Sequence, residues 1–116
     1  MKHIKVILSA EADQVYRNLE EKADISKTER IILDAVNKKI EIIKINPYYG
    51  NNVPKRLIPD KYKIEYSIRN LYRIELPLFW RMLYTLTNED EIRIIAFILD
   101  VIDHRDYNKK FGYKNR

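Results

Sequence analysis

The feature that most constrains this chain is a change of hydrophobic period part-way along it. Up to Asn46, apolar residues recur three and four apart: Ala12, Val15, Tyr16 and Leu19, then Leu33, Val36, Ile40 and Ile43. That spacing places each set on one helix face. From Leu71 onward the pattern breaks into three runs rich in aromatic and branched residues, Leu71–Leu76, Arg81–Thr87 and Glu91–Leu99, which read as strands. The last is apolar enough for a central strand. A further strand is expected at Ile4–Leu8, where Ile4, Val6 and Leu8 alternate with Lys5.

Punctuation residues set the boundaries. Ser9 suits the N-cap of a helix reaching about Ala23. Ser26-Lys27-Thr28-Glu29 has capping-box spacing for a second helix, which Pro47 stops just past Asn46. A short polar link between them predicts an antiparallel helical hairpin. The segment from Pro47 to Asn70 holds three of the four prolines and reads as irregular. Within it, Lys61–Ile68 fits either a short helix or an edge strand. Asn88-Glu89-Asp90 joins the last two strands in a tight turn. The order β-α-α-β-β-β predicts an α+β domain spanning residues 1–116, with both helices on one face of a small antiparallel-rich sheet.

At 116 residues the chain is long enough to bury a core without staples. It contains no cysteine, which excludes disulfides and zinc–thiolate sites. The longest apolar run, Ile94–Leu99, is too short to cross a bilayer, and no secretory signal precedes the first strand. A soluble cytoplasmic protein with no membrane partner is therefore expected. The net charge of +5 is unevenly spread. Residues 1–46 are nearly neutral, with nine basic and eight acidic side chains. Residues 47–88 carry seven basic against three acidic, and residues 104–116 carry five against one. The excess lies where a polyanion would have to bind, although a solvated surface gives the same count.

Arg81 shares a strand face with Leu83 and Thr85, while Met82, Tyr84 and Leu86 share the other. An arginine on a strand suited to burial needs an acidic partner or a ligand, and Glu75 is the nearest acidic candidate on the preceding strand. Its fork of N–H donors also matches a phosphate. Beyond the last strand, Asp103-His104-Arg105-Asp106-Tyr107 gathers an imidazole, a fixed cation and a phenol. This is a set able to move protons around a phosphodiester and stabilise added charge on it. Asp103, His104 and Asp106 lack the second histidine or cysteine typical of a metal site, so no cofactor is expected. Lys55, Arg56, Lys61 and Lys63 are candidate phosphate contacts. Tyr48, Tyr49, Tyr62, Tyr66 and Tyr113 are placed where stacking on unpaired bases is feasible.

These motifs together resemble the RelE/ParE toxins. The resemblance rests on the element order and on a helix ending near Asn46-Pro47-Tyr48. A basic Lys55-Arg56-Leu57 loop follows, ahead of a Tyr-Arg-Ile-Glu-Leu strand at residues 72–76. It continues in Trp80-Arg81-Met82-Leu83-Tyr84 and the ending Ile102-Asp103-His104-Arg105-Asp106-Tyr107, and Phe111-Gly112-Tyr113 is similar to an archaeal branch. It implies a RelE-like domain acting as the toxin of a type II toxin–antitoxin pair. The implied activity is a metal-independent endoribonuclease (an mRNA interferase), working with or without the ribosome. Its implied partners are a cognate antitoxin and mRNA. By motif position, Arg81 and Arg105 carry over as charge-stabilising arginines, and His104 or Tyr107 as the proton-transfer group. Lys55, Arg56 and Arg73 carry over as auxiliary cations. Glu75 departs from the family, lying on a strand where RelE carries lysines. ParE-like members inhibit DNA gyrase instead, and a non-catalytic RNA-binding module would use the same basic face.

Overall fold

The structure is a computed structural model, and residues 3–112 are described. The elements are β1 (His3–Leu8), α1 (Ala10–Lys22), α2 (Lys27–Ile45), β2 (Asn51–Asn52), α3 (Asp60–Tyr66), β3 (Tyr72–Glu75), β4 (Arg81–Asn88), β5 (Arg93–Ile102) and α4 (His104–Phe111). Two 3-10 turns, Lys55–Leu57 and Pro77–Phe79, complete the path. The fold is α+β, built on one five-stranded sheet in the order β1-β5-β4-β3-β2.

The sheet is mixed. β2 to β5 pair antiparallel, but β1 lies parallel to β5, with His3 opposite Arg93 and Leu8 opposite Ile98. The strands after the helices pair antiparallel as expected, and the parallel placement of β1 is what the sequence left open. Pairing across some ninety residues depends on how the helical hairpin returns the chain, which local periodicity does not encode. β5 is flanked by strands on both sides, which accounts for its apolar run.

Ser9 links local capping to the sheet. Its Oγ accepts from the Ala12 N–H at 3.0 Å and donates to the Leu99 carbonyl at 2.7 Å. Ser26 behaves differently: its hydroxyl engages the Glu29 carboxylate and its N–H donates to the Lys22 carbonyl, so neither backbone bond of the expected capping box forms. α1 and α2 bury Ala12, Leu19, Ile32, Val36 and Ile43 against Ile74, Met82, Tyr84, Ala96, Ile98 and Val101 on one sheet face.

The other face is covered too, which the sequence reading did not foresee. Lys61–Ile68 resolves in favour of helix, as α3, and the chain past β5 forms α4 instead of a tail. Tyr62 of α3 and Tyr107 of α4 pack with Val53, Ile58, Leu71, Leu83, Leu99 and Ile102 in a second core. A β-bulge helps build it. Leu83 faces Asp100 while Tyr84 faces Ile98, so one extra β5 residue lies between them. Leu99 and Asp100 consequently both serve the second face. There the Asp100 carboxylate, 3% exposed, accepts from Tyr62 Oη at 2.5 Å and Lys110 Nζ at 2.7 Å, binding α3 and α4 to the sheet. Burial and the adjacent Asp100 charge push the Tyr62 phenol far up, so it remains a donor.

Candidate functional site

The second face carries the charged groups that the sequence singled out. Antiparallel pairing sets Glu75 opposite Arg81 and Arg73 opposite Leu83, so Arg73, Glu75, Arg81 and Leu83 share that face at one end of the sheet. Glu75 lies between two guanidinium groups, 3.2 Å from Arg73 Nε and 3.6 Å from Arg81 Nε. The acidic partner suggested by the sequence is therefore present, and it serves two arginines rather than one.

α4 closes over this trio. Asp103 caps the helix by accepting from the Asp106 N–H at 2.9 Å, which fixes its first turn beside β4. Tyr107 then falls over the arginines. The Arg81 guanidinium carbon lies 4.8 Å from the Tyr107 ring centre and that of Arg73 5.9 Å. Arg73 Nη1 also donates to Tyr107 Oη at 3.1 Å. Tyr107, only 3% exposed, is stacked on Phe111 at 4.3 Å between ring centres. A phenol this enclosed is suited to holding arginines in place, and less suited to meeting a substrate.

Arg81 is the more constrained of the two cations. Its Nη1 donates to the Phe79 carbonyl at 2.9 Å. Its Nε is shielded from solvent and makes no hydrogen bond, the Glu75 carboxylate being too distant at 3.6 Å. A shielded guanidinium N–H without a hydrogen bond is costly, and the Glu75 carboxylate at 3.6 Å offsets that cost only in part. The Phe79 ring in turn touches the His104 ring edge-on, 5.9 Å between centres and 68° between planes. Arg81, Phe79, His104 and Tyr107 are thus linked through direct contacts, with His104 exposed at the rim.

No family model, curated protein or solved structure matches the chain.

The remaining expected site residues divide. Arg105, the second residue of α4, is exposed beside His104. Lys55 and Arg56 are exposed on a turn anchored by Leu57 and Ile58 in the same core as Tyr107. Lys61 is drawn into a separate network, 3.2 Å from Glu11 and 3.9 Å from Glu65, and the Glu11 hydrogen bond raises its ammonium pKa. Lys63 lies 3.9 Å from Asp60. Tyr62 is buried on Asp100 and offers no face for stacking, a correction to its expected role. Tyr113 lies outside the described residues. Phe79 was not anticipated. Its one sequence signal was an apolar Leu78-Phe79 pair just after Pro77, where a turn should be polar.

Proposed function

We propose that this chain is a RelE-like toxin of a type II toxin–antitoxin pair that cleaves mRNA without a metal. The observation that carries the proposal is the Arg81 guanidinium, held by Phe79 and Tyr107 yet keeping a shielded, unbonded N–H. Such a group suits a phosphodiester whose charge increases during reaction. In the proposed step the 2′-oxygen of RNA attacks the adjacent phosphorus and the bond to the 5′-oxygen breaks. The products are a 2′,3′-cyclic phosphate and a 5′-hydroxyl. Arg81 and Arg73 stabilise the additional charge, joined by Arg105, and His104 moves a proton between the two oxygens. Tyr107 acts chiefly by positioning both arginines. Lys55 and Arg56 contact flanking phosphates, and a cognate antitoxin covers the surface when cleavage is not wanted.

One observation favours a second reading. Glu75 already compensates part of the arginine charge, as expected of a non-catalytic RNA-binding module or a ParE-like gyrase inhibitor. Incubating purified protein with end-labelled mRNA in EDTA, with and without ribosomes, separates these. The nuclease reading requires fragments ending in cyclic phosphate. Intact RNA in both conditions, with inhibited gyrase supercoiling, would replace it with the gyrase reading.

A further inference from the structure

The turn between β3 and β4 is strained. Leu78 and Phe79 have φ of 59° and 63°, two successive side-chain-bearing residues in the left-handed region that glycine ordinarily fills. Both side chains project outward, Leu78 at 52% exposure and Phe79 at 72%. A soluble domain gains nothing in its own core from such an arrangement. Strain of this kind persists only where surrounding contacts enforce it, and it concentrates at functional sites.

Here the enforcing contacts lead to the cations. The Phe79 carbonyl accepts from Arg81, and its ring leans on His104. The exposed ring therefore belongs to the residue whose carbonyl holds the Arg81 guanidinium, and it touches His104, whose neighbour in sequence is the exposed Arg105. An aromatic plane next to fixed positive charge matches a nucleotide in single-stranded form, base on ring and phosphate on cation. An apolar protein side chain would use the ring but leave the adjacent charges unmet.

We propose that Phe79 is a base-stacking platform, which receives the unpaired base next to the phosphate held by Arg81. The inference rests on the RNA-cleavage reading above and specifies how that site holds its substrate. Stacking adds affinity that does not depend on base identity or on counterion release.

The test is binding of a short single-stranded 2′-O-methyl oligoribonucleotide, which resists cleavage, and of the same backbone with its bases removed. Phe79→Ala should weaken binding of the base-bearing strand about tenfold. It should leave the abasic strand and the slope of affinity against salt unchanged, and Phe79→Tyr should bind like the native protein. Equal weakening of both strands would mean that Phe79 acts by placing Arg81, and the platform would be overturned. Unchanged binding of both would also overturn it while sparing the nuclease reading. If the native protein binds neither strand and cleaves no RNA, both proposals fail together.

Discussion

The Arg81 guanidinium carbon stands 4.8 Å from the centre of the Tyr107 ring, joining the first residue of β4 to the fourth residue of α4 across the second core. A cation on an aromatic face with little solvent nearby is held in position and direction. That contact makes the last helix part of the candidate site. Removing the charge should therefore affect activity more than folding. Arg81→Ala is expected to lower RNA cleavage about 100- to 1,000-fold and relieve growth arrest on expression. A folded Arg81→Ala protein that cleaves at the native rate, measured on labelled mRNA, would remove Arg81 from the mechanism.

Tyr107 and His104 should respond differently. Tyr107→Phe keeps the ring and loses the bond from Arg73, costing about 1 kcal/mol of stability, with cleavage largely retained. His104→Ala should leave stability nearly intact and slow cleavage by about 100-fold or more. Urea unfolding and single-turnover cleavage on both variants check this. The opposite ranking would make Tyr107 the proton-transfer group.

Alkaline stability should report on Tyr62. Burial and Asp100 raise its phenol well above the ordinary value of 10.0 in the folded protein. Folding therefore favours the protonated form. The associated stability is fully present below about pH 10 and is lost as pH rises beyond it, since only the unfolded state then ionises readily. Tyr66, Tyr72 and Tyr84 are also raised, with burial the leading cause in each, and share this loss. Tyr62→Phe should be less stable near neutral pH but decline less steeply between about pH 9 and pH 11. Denaturant midpoints across that range would show it, and an unchanged decline would mean that the loss comes from Tyr66, Tyr72 and Tyr84 and not from Tyr62.

Gly50 should tolerate no side chain. A Cβ there would lie 3.0 Å from both Cε1 and Oη of Tyr84, and 3.2 Å from the Arg73 carbonyl. The Tyr84 hydroxyl cannot yield cheaply, because it donates to the Pro47 carbonyl and accepts from the Gly50 N–H. Gly50→Ala should cost about 1–3 kcal/mol, read from thermal or urea unfolding. Because Arg73 pairs with Asn51 and its carbonyl would meet the new Cβ, RNA affinity should fall as well. A variant of native stability would show that the loop shifts freely.

Sequence alone determined the elements whose cause is local. Ser9 capped α1, Pro47 marked the end of α2, and the alternation about Arg81 identified the face that it shares with Leu83, because each depends on neighbours within a few residues. The Glu75–Arg81 partnership was also legible, since a short hairpin leaves few registers. Only the tertiary structure decided the rest. β1 pairs parallel with β5, a bulge turns Asp100 onto Tyr62 and Lys110, and α4 folds back to set Tyr107 over two arginines. These contacts join residues tens of positions apart, and their free energy appears only once two cores have closed on one sheet. The exposed Phe79 turn belongs with them: its left-handed backbone opposes local preference and is maintained by Arg81 and His104.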